Sequence, residues 1–412
     1  MRFVIIGNGI AGVSAATGIR RLRKKALITV ISEEPHPTYS ACILPNYISG
    51  ETKRRHVFIK NRRDYQKEDI QFLPAYKVTA IDTECKKVVF DSDSIPYDRL
   101  IIATGSKAAV PHFNGVRRKG VYTLKSLRDA DQIYHWNGQT VVVIGSGPIG
   151  VEVSLALKKR GYRVSIVELI DRVLPRIFDD FPASIAQKLL EAGGIEVLTG
   201  EKVVEIAGSK HVEAVITDRG RIECDTVILS AGVRPEVRLA EEKLVLGELG
   251  GILVDDRMNT SVANIFACGD CAETKDLVSG CSAPSLLWHN ARRQGVVAAS
   301  NAVGIPCGYP GSLQLTGIEI FNIQAVSIGE TAGSSMDGLE VIEREADNRY
   351  QRLVLSCGVL VGVQSINWDE NIGGLLSTIL RREKVRNPSE LFVRSMPLNK
   401  PPEYCIYDMK SV

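Results

Sequence analysis

No apolar run in this 412-residue chain approaches the ~20 residues needed to cross a bilayer. Met1 leads straight into a predicted strand, so no signal peptide is expected. The nine cysteines are scattered without the spacing of a disulfide framework, and a reducing cytoplasm is the expected compartment. Histidine is scarce, at six residues. The Cys-x-x-Cys of Cys268 and Cys271 is followed by no second pair or histidine at metal-ligand spacing, so no metal site is expected. The net charge is only +3. Arg20, Arg21, Arg23, Lys24 and Lys25 read as the one basic cluster, a solvated helix end that complements the helix dipole. Neither nucleic acid nor a membrane is an expected partner.

Glycine, by contrast, is plentiful. With 36 glycines, 44% hydrophobic and 24% charged residues, the composition fits an α/β enzyme of two or three domains. Two glycine-rich loops stand out. Gly7-Asn8-Gly9-Ile10-Ala11-Gly12 follows the apolar run Arg2 to Ile6, and Gly145-Ser146-Gly147-Pro148-Ile149-Gly150 follows Thr140 to Ile144. Each has the order strand, tight turn, helix. The first glycine permits the turn, the second lets backbone approach a pyrophosphate, and the third lets helix pack closely on strand. The phosphates would then meet N–H groups at a helix N-terminus. Two such loops predict two dinucleotides, one resident and one exchanging.

Alternating strands and helices predict parallel sheets: two Rossmann-like dinucleotide-binding units and a small α+β C-terminal domain. Leu27 to Ser32 reads as the second strand of the first unit, and Val57 to Leu73 as a helix and a strand around Glu68. Lys87 to Phe90, with a turn at Ser94 to Pro96, reads as a meander, and Leu100 to Gly105 as a buried strand ending in glycine. In the second unit Val164 to Glu168 completes strand, helix, strand, and Ile195 to Leu198 and Val212 to Ile216 continue it. Val227 to Gly232 echoes Ile101 to Gly105, which predicts a return to the first unit. The expected organisation is a first domain in two parts, 1–110 and 236–310, a second domain at 111–235, and an interface domain at 311–412 with a helix near Leu375 to Arg382.

Five motifs in one order carry a family resemblance: Gly7 to Gly12, Asp98 to Gly105, Gly145 to Gly150, Asp225 to Pro235, and Ile265 to Glu273. Over nearly all of residues 1–305 the chain resembles the pyridine nucleotide–disulfide oxidoreductases, flavoproteins that bind two dinucleotides. The resemblance implies FAD at the first loop and NAD(P)H at the second, with Thr104, Gly105, Gly269 and Asp270 also on the FAD side. Asp270 would accept hydrogen bonds from the ribityl hydroxyls; the alternative is a helix N-cap. Glu168 lies 23 residues after Gly145, near the ~20 expected for a carboxylate on the ribose 2′-OH. It would repel a 2′-phosphate, which favours NADH over NADPH, although Arg172 lies close by. In the first unit this position falls on Ser32 or Glu33, and Glu33 is assigned to the FAD adenosine ribose. Glu152, two past Gly150, matches a family glutamate near the nicotinamide; the alternative is an exposed helix-face carboxylate.

The segment Tyr39 to Gly50 carries Cys42 just before Leu44-Pro45, with no Cys-x4-Cys. It resembles the single-cysteine branch of coenzyme A-disulfide, persulfide and sulfur reductases and NADH oxidases, in which this cysteine lies over the flavin. If Cys42 opens a helix, the dipole would favour its thiolate; the alternative is a small buried hydrophobe. Ile10 stands where oxygen- and peroxide-reducing members place a histidine. Glu33-Glu34-Pro35-His36-Pro37, with Tyr350 to Leu355 and Leu360 to Val363, resembles rubredoxin reductases and the flavin portion of nitrite reductases instead. Trp288 and His289 fall where the family lays a helix beside the flavin, and His289 reads as a packing residue. The expected activity is hydride transfer between NADH and FAD, with electrons passing to a redox partner protein of rubredoxin, ferredoxin or iron–sulfur type. The alternatives are sulfur chemistry at Cys42 and a non-catalytic nucleotide-sensing flavoprotein. A homodimer or a subunit of a larger redox complex is expected.

Overall fold

The computed structural model describes residues 1–392 apart from 92, 285, 332–335, 337, 347, 348 and 369; the expected interface domain's last stretch, 393–412, lies outside the described residues. The first glycine loop leaves the central strand of a parallel five-stranded sheet ordered Ile265–Ala267, Arg99–Ile102, Arg2–Ile6, Leu27–Ser32, Ile70–Pro74. The second leaves the central strand of another, ordered Glu196–Leu198, Arg163–Val167, Thr140–Ile144, Thr226–Leu229, Val121–Thr123. Beyond their first residues, Arg2 and Thr140, both central strands are apolar because their sheets are covered on both faces; Val141, Val142 and Val143 are fully buried. In each sheet the connections diverge on either side of the central strand. That reversal opens a crevice at the strands' carboxyl ends, where the glycine loops sit.

Helix Trp288–Ala302 lies along helix Ile10–Leu22. A Cβ on Gly295 would come within 2.3 Å of the Ala11 carbonyl oxygen, so glycine is what lets the two helices approach. An antiparallel five-stranded sheet follows, ordered Leu315–Ile320, Ile323–Gly329, Val359–Ile366, Arg349–Ser356, Leu339–Ala346, with helix Ile372–Arg381 against it. It docks on the second unit through Arg352, whose Nη1 donates to Asp179 Oδ2 at 2.7 Å, while Gln364 donates to the same oxygen at 2.8 Å.

Four local expectations differ from the structure. Ser94 to Pro96 is not a turn but part of strand Asp93–Pro96, paired with Lys87–Phe90; a proline is tolerated on this edge, and Asp91, at φ +48, redirects the chain. Ala214–Thr217 leaves the second parallel sheet for a three-stranded antiparallel one. Thr226–Leu229 completes the second sheet, and the next strand, Val233–Pro235, pairs with Ser106–Ala108 of the first unit. Arg20 is not a solvated helix-end residue. It is 9% exposed and donates to the carbonyls of Glu68, Lys24, Ala26 and Asp69, tying helix to strand. The other four members of that cluster, Arg21, Arg23, Lys24 and Lys25, are exposed as expected, and Lys53, Arg55, Arg62 and Arg63 form a second exposed basic run.

Candidate active site between two glycine loops

The two loops are built alike. A Cβ on Gly7, at φ +110, would meet the Ala103 carbonyl oxygen at 2.0 Å, and one on Gly145, at φ +102, would meet that of Ser230 at 2.4 Å. A Cβ on the third glycines, Gly12 and Gly150, would meet the carbonyl oxygens of Gly7 and Gly145 at 2.0 and 2.1 Å. The middle glycines differ in kind: a Cβ on Gly9 or Gly147 meets nothing within 4 Å. These two residues are the N-caps of helices Ile10–Leu22 and Pro148–Lys159, and neither helix has a side-chain cap. Open space over a bare helix N-terminus fits a pyrophosphate at both loops.

Asn8 fixes the first loop to the rest of its unit. Its Oδ1 accepts from Tyr65 at 2.7 Å and from Thr38 at 3.0 Å, and its amide donates to the His36 carbonyl at 3.3 Å. Thr104 and Gly105 hold the returning strand, the threonine hydroxyl donating to the Glu236 carbonyl at 2.6 Å and Gly105 accepting from the Glu236 N–H at 2.9 Å. Gly269 N–H is held by buried Gln294 at 2.7 Å. Asp270 accepts from Ser106 at 2.6 Å and pairs with Lys125 at 3.0 Å. Lys125 belongs to the second unit's first connection, so this pair joins the two halves. Glu33 faces solvent and pairs with Lys77 at 3.0 Å. Its neighbour Glu34 turns inward, accepting from Tyr39 at 3.1 Å, and burial raises its carboxyl above the usual range.

Cys42 sits in the single turn Ala41–Ile43, which runs into helix Leu44–Ser49. That short helix packs on Pro148–Lys159 of the second unit, which brings the Cys42 thiol and the Glu152 carboxyl into electrostatic contact. The expected lowering of the Cys42 pKa does not occur. Burial, then the Glu152 charge, push the thiol up, against a smaller opposing hydrogen bond from Ser40. The thiol is exposed by area, but protein surrounds it on its remaining sides, and a six-residue helix offers too little dipole to offset that desolvation. Glu152 is not an exposed helix-face carboxylate either: burial pushes it up to about 7.

Glu168 closes the strand Arg163–Val167 and is 8% exposed. One oxygen accepts from the Ser146 N–H and hydroxyl, and the other accepts from the Ile170 N–H at 3.0 Å. Arg172 is drawn instead to Asp180, at 3.0 Å. His289 hydrogen-bonds the Leu313 carbonyl at 3.0 Å, as a packing residue would. Cys268 and Cys271 are fully buried in different core clusters. Sequence reasoning missed Asn8, Tyr39, Glu34 and Lys125. Asn8, Glu34 and Tyr39 lie inside segments already singled out, whereas Lys125 had no signal.

Residues 1–295 match the family model described as pyridine nucleotide-disulphide oxidoreductase. An NADH oxidase of Methanocaldococcus jannaschii is 35% identical over 347 residues, 81% of this chain and 77% of that protein. A rubredoxin-NAD(+) reductase of Pseudomonas putida is 33% identical over 74% of this chain and 80% of its own. The chain also spans 93% of itself, but only 47% of the other protein, against a Bacillus subtilis NAD(P)H nitrite reductase, at 31% identity. Among solved structures, an NAD-dependent persulfide reductase from A. fulgidus superposes with a TM-score of 0.88 at 29% identity, over 93% of this chain and 77% of that one.

Proposed function

The chain belongs to the pyridine nucleotide-disulphide oxidoreductases and is an FAD-dependent NAD(P)H oxidoreductase, and on that premise we propose that it takes hydride from NADH and hands electrons to a redox partner protein. The bare N-terminus at Gly9, with Gly7, Gly12, Thr104, Gly105, Gly269, Asp270 and Glu33, would hold FAD. Gly145, Gly147, Gly150 and Glu168 would hold the nicotinamide dinucleotide. FAD, when bound, accepts a hydride and releases its electrons one at a time. The protein's own contribution is orientation: each anion-binding helix end sits at the carboxyl end of its own sheet, and the helices behind them are locked by close glycine contacts.

One observation carries the protein-acceptor reading. The residue placed for sulfur chemistry, Cys42, is held toward its neutral thiol by burial and by Glu152, whereas attack on sulfur needs the thiolate. The second reading, persulfide or disulfide reduction at Cys42, is favoured by the exposure of this residue to solvent. Cys42→Ser separates them. In NADH-dependent assays, reduction of rubredoxin and of a one-electron dye should survive nearly intact. Loss of both would overturn the protein-acceptor reading. Glu168 in its buried site supports NADH over NADPH, and the docked C-terminal sheet is the surface we assign to contact with a second copy or subunit.

A further inference from the structure

Besides the Arg20 to Lys25 helix end, a second stretch concentrates positive charge, and it lies beside the candidate active site. Residues 51–68 contain seven Lys and Arg against three Asp and Glu, a net +4, so the other 394 residues together carry −1. The three carboxylates are all engaged at home. Glu51 pairs with Lys159 at 2.7 Å, Asp64 caps its own helix by accepting from the Asn61 N–H at 2.8 Å, and Glu68 pairs with Lys60 and accepts from Thr17 at 2.9 Å. Arg54 is likewise consumed, held by both oxygens of Asp131 at 2.8 Å. What remains is Lys53, Arg55, Arg62, Arg63 and, at the end of the short helix, Lys67, all exposed, with no carboxylate partner among the described residues; Arg55 donates only to the ring of exposed His56, at 3.1 Å. Ile59, 40% exposed, lies among them.

This ridge is attached to the segment that carries Cys42. The Ser40 N–H donates to the Val57 carbonyl at 2.8 Å, the Ile59 N–H donates to the Thr38 carbonyl at 2.9 Å, and Tyr39 pairs with Phe58. The backbone under the cations is therefore the neighbouring strand of the backbone that leads into the candidate active site. Arg54 and Tyr47, both bonded to Asp131, brace it against the second unit.

We propose that the Lys53–Arg63 ridge is the docking surface for the electron acceptor, and that this acceptor is an acidic protein. The inference rests on the protein-acceptor reading above. Unpaired cations around one apolar contact, beside the redox site and on an otherwise slightly acidic body, make a surface that steers an acidic partner to that flank. Nucleic acid, the other polyanion such a ridge could take, is disfavoured because no Phe, Tyr or Trp side chain is exposed among these cations and only His56 is left for a base to stack on.

The test is kcat/KM for an acidic rubredoxin at saturating NADH, measured beside a small uncharged quinone, for the holoenzyme and for K53Q/R55Q/R62Q/R63Q. The expected result at about 20 mM salt is a loss of about tenfold with rubredoxin and none with the quinone. The wild type should lose that advantage as salt rises, while the variant stays nearly flat. Equal rubredoxin kinetics in both proteins would overturn the docking surface and leave the protein-acceptor reading standing. Quinone reduction without any rubredoxin reduction by the wild type would overturn that reading, and the docking surface with it. A DNA oligonucleotide held by the wild type at about 150 mM salt and released by the variant would reassign the ridge to nucleic acid. Equal FAD content and thermal midpoints for the two proteins exclude misfolding as the cause.

Discussion

Glu168 accepts hydrogen bonds from both the backbone N–H and the hydroxyl of Ser146, each at 2.7 Å. The carboxylate that would read the ribose is thus also the group that shapes the phosphate loop. Glu168→Ala should raise KM for NADH and narrow the preference over NADPH, and it should also destabilise the protein. Hydrogen bonds to a charged acceptor contribute about 1.5–3 kcal/mol each and are not additive, so a loss of about 2–4 kcal/mol in urea unfolding is expected. Nucleotide preference unchanged from wild type would remove Glu168 from the ribose role.

The glycines divide by what surrounds them. Gly7→Ala places a methyl 2.0 Å from the Ala103 carbonyl at a φ of +110, so that variant should fail to fold. Gly9→Ala and Gly147→Ala meet nothing within 4 Å, and both should fold with near-native thermal midpoints. The first should retain less FAD after purification, and the second should keep FAD while binding NADH more weakly. Native cofactor content and NADH affinity in both variants would contradict the pyrophosphate assignment.

Glu152, pushed up to about 7 by burial, makes stability depend on pH. Its folded pKa lies above the unfolded one, so its contribution is fully present below about 4.3, is lost as pH rises through 7, and amounts to about 3 kcal/mol across that window. Glu152→Gln should flatten that part of the stability profile. Because the Glu152 charge also helps hold Cys42 as a thiol, the same variant should speed alkylation of Cys42 by iodoacetamide several-fold at mildly alkaline pH. An alkylation rate no different from wild type would separate the two groups.

The antiparallel C-terminal sheet is anchored by Arg352 and Asp179, whose side chains are 15% and 16% exposed. Truncating one member of an enclosed ion pair leaves the other charge without compensation, at a cost of about 3 kcal/mol. Arg352→Ala should therefore loosen this docking, seen as faster limited proteolysis of the C-terminal region, with Arg352→Lys intermediate. Proteolysis at the wild-type rate would show that the apolar contacts alone suffice.

Both sheets and both loops were legible in the sequence because their constraints are local. A strand that must turn sharply into a helix admits only glycine at Gly7 and Gly145, and the apolar runs before them are buried on both faces. What the sequence hid depends on partners far along the chain. Lys125 meets Asp270 across 145 residues, and Tyr65 meets Asn8 across 57. The reversal at Cys42 has in part the same origin: a helix start suggests a lowered pKa, but burial raises it, and the Glu152 charge that adds to the rise comes from the second unit. The basic ridge was overlooked for another reason, since Val57, Phe58 and Ile59 interrupt its charge and only exposure reveals which cations remain unpaired. Ser94 to Pro96 misled because a proline marks an edge strand as readily as a turn.

The most direct test is anaerobic titration of the purified holoenzyme with NADH, followed by absorbance, before and after alkylation of Cys42. The account predicts two-electron bleaching of the flavin with no thiol-dependent long-wavelength band, identical in the alkylated protein. A long-wavelength band that alkylation abolishes would place a thiolate against the flavin and contradict it.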